Sequence, residues 1–269
     1  MSARRGTPRG RASGFTLTEL AVVVVILALI LGGVVMTMGA MTNAREVEQT
    51  QQQLNQAREA LVGFFLRNGR FPCPAVPALP GAGAGVESPA GGGTCTNFLD
   101  GFLPAATLGM GPTDPQGYLL DAWGNRIRYA VSRYVVSGLG FDAPNCPPNP
   151  VLDPRRCYLF TTTNLLQQVG ISNLAATLPE LRVCDVANCA GALDFRTPVV
   201  VLSNGRNFSS QAAGLTAASA DEMENSTGVD NEFVARDPRP GGPGVEFDDL
   251  VIWLSPNILY NRLIAAGAI

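Results

Sequence analysis

Glu19 is the only carboxylate among residues 1–45, and it stands directly ahead of residues 20–36, a run in which every position is apolar or glycine. An unpaired charge is costly in hydrocarbon, so a carboxylate placed there needs a neutralising partner. The other chemistry-bearing side chains lie beyond the run. Six cysteines, Cys73, Cys95, Cys146, Cys157, Cys184 and Cys189, are an even set in a region that reads as exported. Such a set reads as structural disulfides rather than metal ligands, and no C-x-x-C pair suggests redox work. Connectivity stays open. Nearest-neighbour pairing, Cys73–Cys95, Cys146–Cys157 and Cys184–Cys189, is the simplest, since each pair brackets a stretch rich in Gly, Pro or Asn. Acidic residues gather at Asp221, Glu222, Glu224, Asp230 and Glu232, and again at Asp248-Asp249. If Asp248 and Asp249 lie on a strand, they point to opposite faces and do not share a proton. Histidine is absent, and all 19 cations are arginine. No Ser-His-Asp triad, Cys-His dyad, His-ligated zinc or Schiff-base lysine can be built, and no enzyme is expected.

The elements around these residues follow from hydrophobic patterning. Residues 15–41 supply the ~20 apolar positions that a helix needs to cross a bilayer. Arg4, Arg5, Arg9 and Arg11 precede them, which places the leader in the cytoplasm and everything after Met41 outside, the periplasm in a Gram-negative cell. Two other readings compete. A secretory signal would be cut near Met38-Gly39-Ala40, where Met38 replaces the small residue required, and it leaves Glu19 without purpose. A plain single-pass anchor explains the length but neither Glu19 nor Gly14-Phe15.

No breaker separates the run from residues 42–69, where Val47, Leu54 and Leu61 recur every seventh position and Ala57, Phe64 and Phe65 widen the stripe. The spacing predicts an amphipathic helix, closed by Asn68-Gly69, whose Leu54/Leu61/Phe65 face lies on a sheet. Proline and glycine make residues 71–96 a loop. Ile127, Tyr129 and Val131 alternate with Arg126, Arg128 and Ala130, which predicts a half-buried strand with the second set in solvent. Further strands are expected at 133–137, 157–161, 198–203 and 245–254, and a short helix within 164–181. Residues 207–244 read as a polar loop. A final helix opens at Ser255 (N-cap) and Pro256 (N1) and runs to Ala266.

The order of basic leader, Gly14-Phe15, Glu19 and apolar run resembles the cleavage and methylation site of type IV prepilins and pseudopilins. A second point of resemblance is the "LP…LG" stretch at Leu103-Pro104 and Leu108-Gly109 followed by Asp121-Ala122-Trp123-Gly124-Asn125, which looks like the first sheet segment of these proteins. There Trp123 is expected in the core, with Asp121 and Asn125 as turn formers. The resemblance implies that prepilin peptidase cuts after Gly14 and that Phe15 becomes an N-methylated N-terminus. It also implies that Glu19 binds the new amine of an adjacent subunit. Many family members carry a proline in the second half of the segment; here Gly32-Gly33 stands instead.

The fold expected is α+β: a long N-terminal helix, membrane-spanning in its first half, packed on an antiparallel β-sheet with long disulfide-stapled loops. The divisions are a leader at 1–14, a transmembrane helix half at 15–41, an amphipathic half at 42–69 and a periplasmic domain at 70–269. Cleavage leaves 269 − 14 = 255 residues with a formal charge of 15 − 22 = −7, which argues against general nucleic-acid binding. No cofactor is required. Calcium is the one ion the acidic loop invites, since some pseudopilins hold one near the C-terminal end, although the spacing is not that of an EF-hand. The function expected is a structural subunit of a type IV pilus or type II secretion-like filament, a minor pilin or pseudopilin. Its partners would be prepilin peptidase, other pilins, the inner-membrane assembly platform and membrane lipid. The alternative is a tip or surface-binding subunit, an adhesin or DNA-uptake receptor, that uses residues 71–96 and 207–244 as contact loops.

Overall fold

The computed structural model describes residues 16–76, 84–136, 157–170, 179–189, 195–227 and 230–269, with the side chains at 31–40, 136 and 195 outside the description. The chain divides into two compact units, Met1–Glu46 and Val47–Ile269. Helix α1 (Leu17–Asn68) belongs to both. It stops where the sequence predicts. Gly69 takes φ +66°, a left-handed value that glycine adopts without strain, and its N–H returns to Phe65 O at 2.7 Å.

In the larger unit Leu54, Ala57, Leu61 and Phe65 of the stripe are fully buried, with no exposed surface. They join one core with Tyr129, Val131, Val199, Val201, Leu250 and Ile252. These residues come from a four-stranded antiparallel sheet in the order β1 (Gly101–Phe102), β2 (Arg128–Val131), β7 (Val199–Ser203) and β9 (Leu250–Trp253). The alternating residues Ala130, Val200 and Leu202 face the other way and form a second core with Leu181, Val183 and Phe233. That second core belongs to a three-stranded sheet in the order β6 (Phe195–Thr197), β5 (Leu181–Cys184) and β8 (Glu232–Val234). Among the described residues the pairing of β5 with β8 is parallel and every other strand pair is antiparallel.

Because a second sheet covers the first, the expectation that Arg128 and Ala130 face solvent fails. Both are buried. Arg128 is satisfied inside by donating to Asn225 O and Ser226 O, the last carbonyls of helix α5 (Ala220–Thr227), and to Asp100. A cation at a helix C-terminus is favourably placed against the helix dipole.

The remaining elements are short. α2 (Ala105–Leu108) follows β1, and β3 (Val135–Val136) pairs with β4 (Cys157–Tyr158). α3 (Leu165–Val169) is the short helix expected within 164–181. Residues 207–244 are not a polar loop. They hold α4 (Phe208–Ala212), α5 and β8, because Phe233 enters the second core and Asn225, fully buried, bonds the buried Val234 through both its amide nitrogen and its amide oxygen. α6 (Pro256–Ala265) closes the chain with Pro256 in its first turn; Ser255 sits at the N-cap but its side chain makes no capping bond. Trp123 is half-buried at the rim of the first core rather than inside it.

Candidate functional site

Described residues begin at Thr16, so Gly14 and Phe15 lie outside them. Thr16 opens α1 with a reciprocal cap. Thr16 N–H and Thr16 Oγ1 both donate to Glu19 Oε2 at 2.9 Å, and Glu19 N–H donates to Thr16 Oγ1 at 3.3 Å. The T-x-x-E spacing is what permits this, since the first amides of a helix have no partner within it. Sequence reasoning gave Glu19 an intermolecular role and missed this local one, although the spacing signals it.

From Leu20 to Ile30 the helix shows no inward face. Leu20, Leu29, Ile30 and every residue from 22 to 27 are at least half exposed. Apolar side chains all round a helix require a non-aqueous neighbour on every side. Among the described residues no helix is long and apolar enough to cross a membrane. The described side chains of this run end at Ile30, while the sequence stays apolar or glycine through Met36.

In the larger unit, Glu222, Asp248 and Asp249 bring carboxylate oxygens within 4.8 Å of one another. The sequence argument that separated Asp248 from Asp249 does not apply, because β9 starts at Leu250 and both residues precede it. Gly205, at φ +69°, lets the backbone pass so close that a Cβ there would overlap the Asp248 carboxylate. The backbone N–H groups of Arg206 and Asn207 donate to Asp248 Oδ2, each at 3.1 Å. Glu222 accepts from Asn207 Nδ2, Gln211 Nε2 and Ser219 N. Asp249 accepts from Asn225 Nδ2 at 2.8 Å. Asp248 Oδ1 and Asn207 Oδ1 are shielded from solvent with no hydrogen-bond partner among the described residues.

Burial first, and then the neighbouring Glu222 and Glu246 charges, push the Asp248 carboxyl up to about 6 against the two amide bonds. Burial also holds Asp249 well above the usual carboxylate range. An all-oxygen set of this kind either keeps protons or takes a hard divalent cation. Of the acidic loop residues singled out in the sequence, only Glu222 belongs to it. Asp221 pairs with Arg236, and Glu232 with Arg182.

The Asp121–Asn125 turn is structural, and its reach is wider than a turn. Asp121 accepts from Ser203 Oγ at 2.6 Å and from Asn125 N at 2.8 Å, while Asn125 Nδ2 donates to Gly205 O at 2.6 Å. The motif thus joins the start of β2 to the end of β7. Cys73–Cys95 and Cys184–Cys189 are disulfide-bonded. Cys157 is disulfide-bonded too, and the expected Cys146–Cys157 pairing falls outside the described residues.

Residues 9–35 match the family model of the prokaryotic N-terminal methylation motif. No curated protein and no solved structure matches the chain. The matched segment contains Gly14, Phe15, the Thr16–Glu19 cap and the exposed apolar turns that follow. The motif implies processing by prepilin peptidase and assembly with other pilins. The motif over residues 9–35 supports a type IV prepilin-like protein.

Proposed function

We propose that this chain is a minor pilin or pseudopilin, a structural subunit of a type IV pilus or type II secretion-like filament, and not an enzyme. The observation that carries the reading is the first part of α1, apolar and exposed on all sides and headed by a single carboxylate. Prepilin peptidase cuts between Gly14 and Phe15, and Phe15 is N-methylated. The helix then spans the inner membrane across residues 15–41, with the leader cytoplasmic and the larger unit periplasmic. On assembly it exchanges lipid for neighbouring helices. Glu19 pairs with the N-terminal amine of an adjacent subunit, so that neither charge enters the apolar interior alone. Calcium, where the filament uses it, is held by Glu222, Asp248 and Asp249 with Asn207 Oδ1 alongside, and it supplies charge neutralisation only.

Mass spectrometry of sheared filaments and of inner membranes tests this. The expected species is a peptide beginning at methyl-Phe15. Its presence in filaments assigns a pilin, and its restriction to membranes assigns a pseudopilin or an assembly primer. A chain found only with Met1 attached overturns the reading.

A further inference from the structure

The cap at the start of α1 treats the two oxygens of Glu19 differently. Oε2 receives two donors from Thr16, the backbone N–H and the hydroxyl, each at 2.9 Å. Oε1 makes no hydrogen bond among the described residues. The hydroxyl of Thr16 spends its proton on Oε2, so its contact with Thr18 Oγ1 at 3.1 Å is donated by Thr18. Thr18 therefore holds the Thr16 rotamer from the other side. Beside the carboxylate, Thr18, Glu19, Val22 and Val23 line a shallow groove whose floor is apolar. A carboxylate steadied by one oxygen, with the other oxygen open above an apolar floor, suits an ammonium group carried on a hydrophobic residue.

We propose that Thr16 is the positioning residue for docking: it holds Glu19 Oε2 and presents Oε1 to the N-terminal ammonium of the incoming subunit. This rests on the docking role given to Glu19 above. Pre-ordering the side chain removes the rotamer entropy that docking would otherwise cost, and the capped Oε2 stays satisfied when the amine arrives. Without the hydroxyl, Glu19 keeps only the backbone N–H and swings more freely.

The absence of lysine makes a clean test available, since the mature chain carries one amine, its N-terminus. Cell envelopes are treated with dicyclohexylcarbodiimide, and mass spectrometry counts the Glu19 peptide amide-linked to another subunit's N-terminus, per cleaved chain. Thr16→Val is expected to lower that fraction about tenfold, the scale of one lost hydrogen bond to an ionised group. Thr16→Ser restores it. In a Glu19→Ala background, Thr16→Val has no further effect on filament or membrane-complex incorporation, because it acts through Glu19. Thr16→Ala is run alongside in case the valine variant is not cleaved. Cross-linking at the wild-type level in Thr16→Val or Thr16→Ala overturns the positioning role and leaves the docking role standing. Absence of the link in the wild type overturns the docking role itself, and this inference with it.

Discussion

Exchanging Glu19 for alanine removes the proposed docking charge and leaves Gly14-Phe15 untouched, so the variant should still lose its leader. It should then accumulate in membranes and be depleted from filaments, by at least about tenfold if the pair behaves as other ion pairs removed from water do. Immunoblots of both fractions decide the matter, and normal incorporation rules out Glu19 as the docking group. Gly14→Leu is expected to do the reverse, retaining the leader because a bulky residue blocks the scissile site; the mass of the membrane-bound species reports it. The N-terminal motif was legible in the sequence because it is contiguous, and residues 9–35 match the methylation-motif model. The group of Glu222, Asp248 and Asp249 was not, because 26 residues separate Glu222 from Asp248 and only the folded 204–249 segment brings them together. Asp248 also sets a pH dependence. Its folded value of about 6 lies above the ordinary 3.8, so the folded chain binds that proton more tightly than the unfolded one. The stabilisation is full below about pH 4 and is lost as pH rises through about 6. Asp248→Asn is therefore expected to flatten the fall in Tm across that window and to raise Tm at pH 7. Added calcium should raise Tm at pH 7 in the wild type and much less in the variant. Equal pH profiles for the two proteins would show that Asp248 titrates normally.

At the scale of elements, α1 beyond Val47 is fixed by the apolar side chains of Leu54, Ala57, Leu61 and Phe65, none with exposed surface, and Leu61 is central among them. Leu61→Ala removes that packing and leaves a cavity, with an expected loss of about 2–5 kcal/mol in urea unfolding. The stripe was readable because period and burial coincide on one face. The strands were readable where apolar residues run without a break, as at Val199–Ser203 and Leu250–Trp253. Strands β5, β6 and β8 were missed because each spans three or four residues and is held by a partner sheet distant in sequence. The same partner sheet explains Arg128. Alternation predicts which residues share a face, and only the tertiary fold determines whether that face meets water. The segment 207–244 misled for a related reason: its polar residues bond inward, with Asn225 and Glu222 both buried and paired.

On the scale of the whole molecule, both cores lie in residues 47–269, which form one compact unit. A protein comprising those residues alone, made under oxidising conditions, is expected to be monomeric and to unfold cooperatively, whereas an exposed apolar helix end would drive aggregation. Circular dichroism with thermal melting checks this, and a molten or aggregated product would contradict it. The way α1 is fastened within this unit also has a mechanical consequence. Thr50 Oγ1 receives Ala122 N–H at 3.2 Å, Leu54, Ala57, Leu61 and Phe65 are sunk in the core, and Glu59 pairs with Arg262 of α6. These attachments are spread along the helix axis instead of being gathered at one end. A tug along that axis loads them in shear and in parallel, so they must give way together and not unzip one after another. Resistance to traction is then set by the barrier to a single concerted rupture, which equips the body to be hauled by its own helix without unravelling.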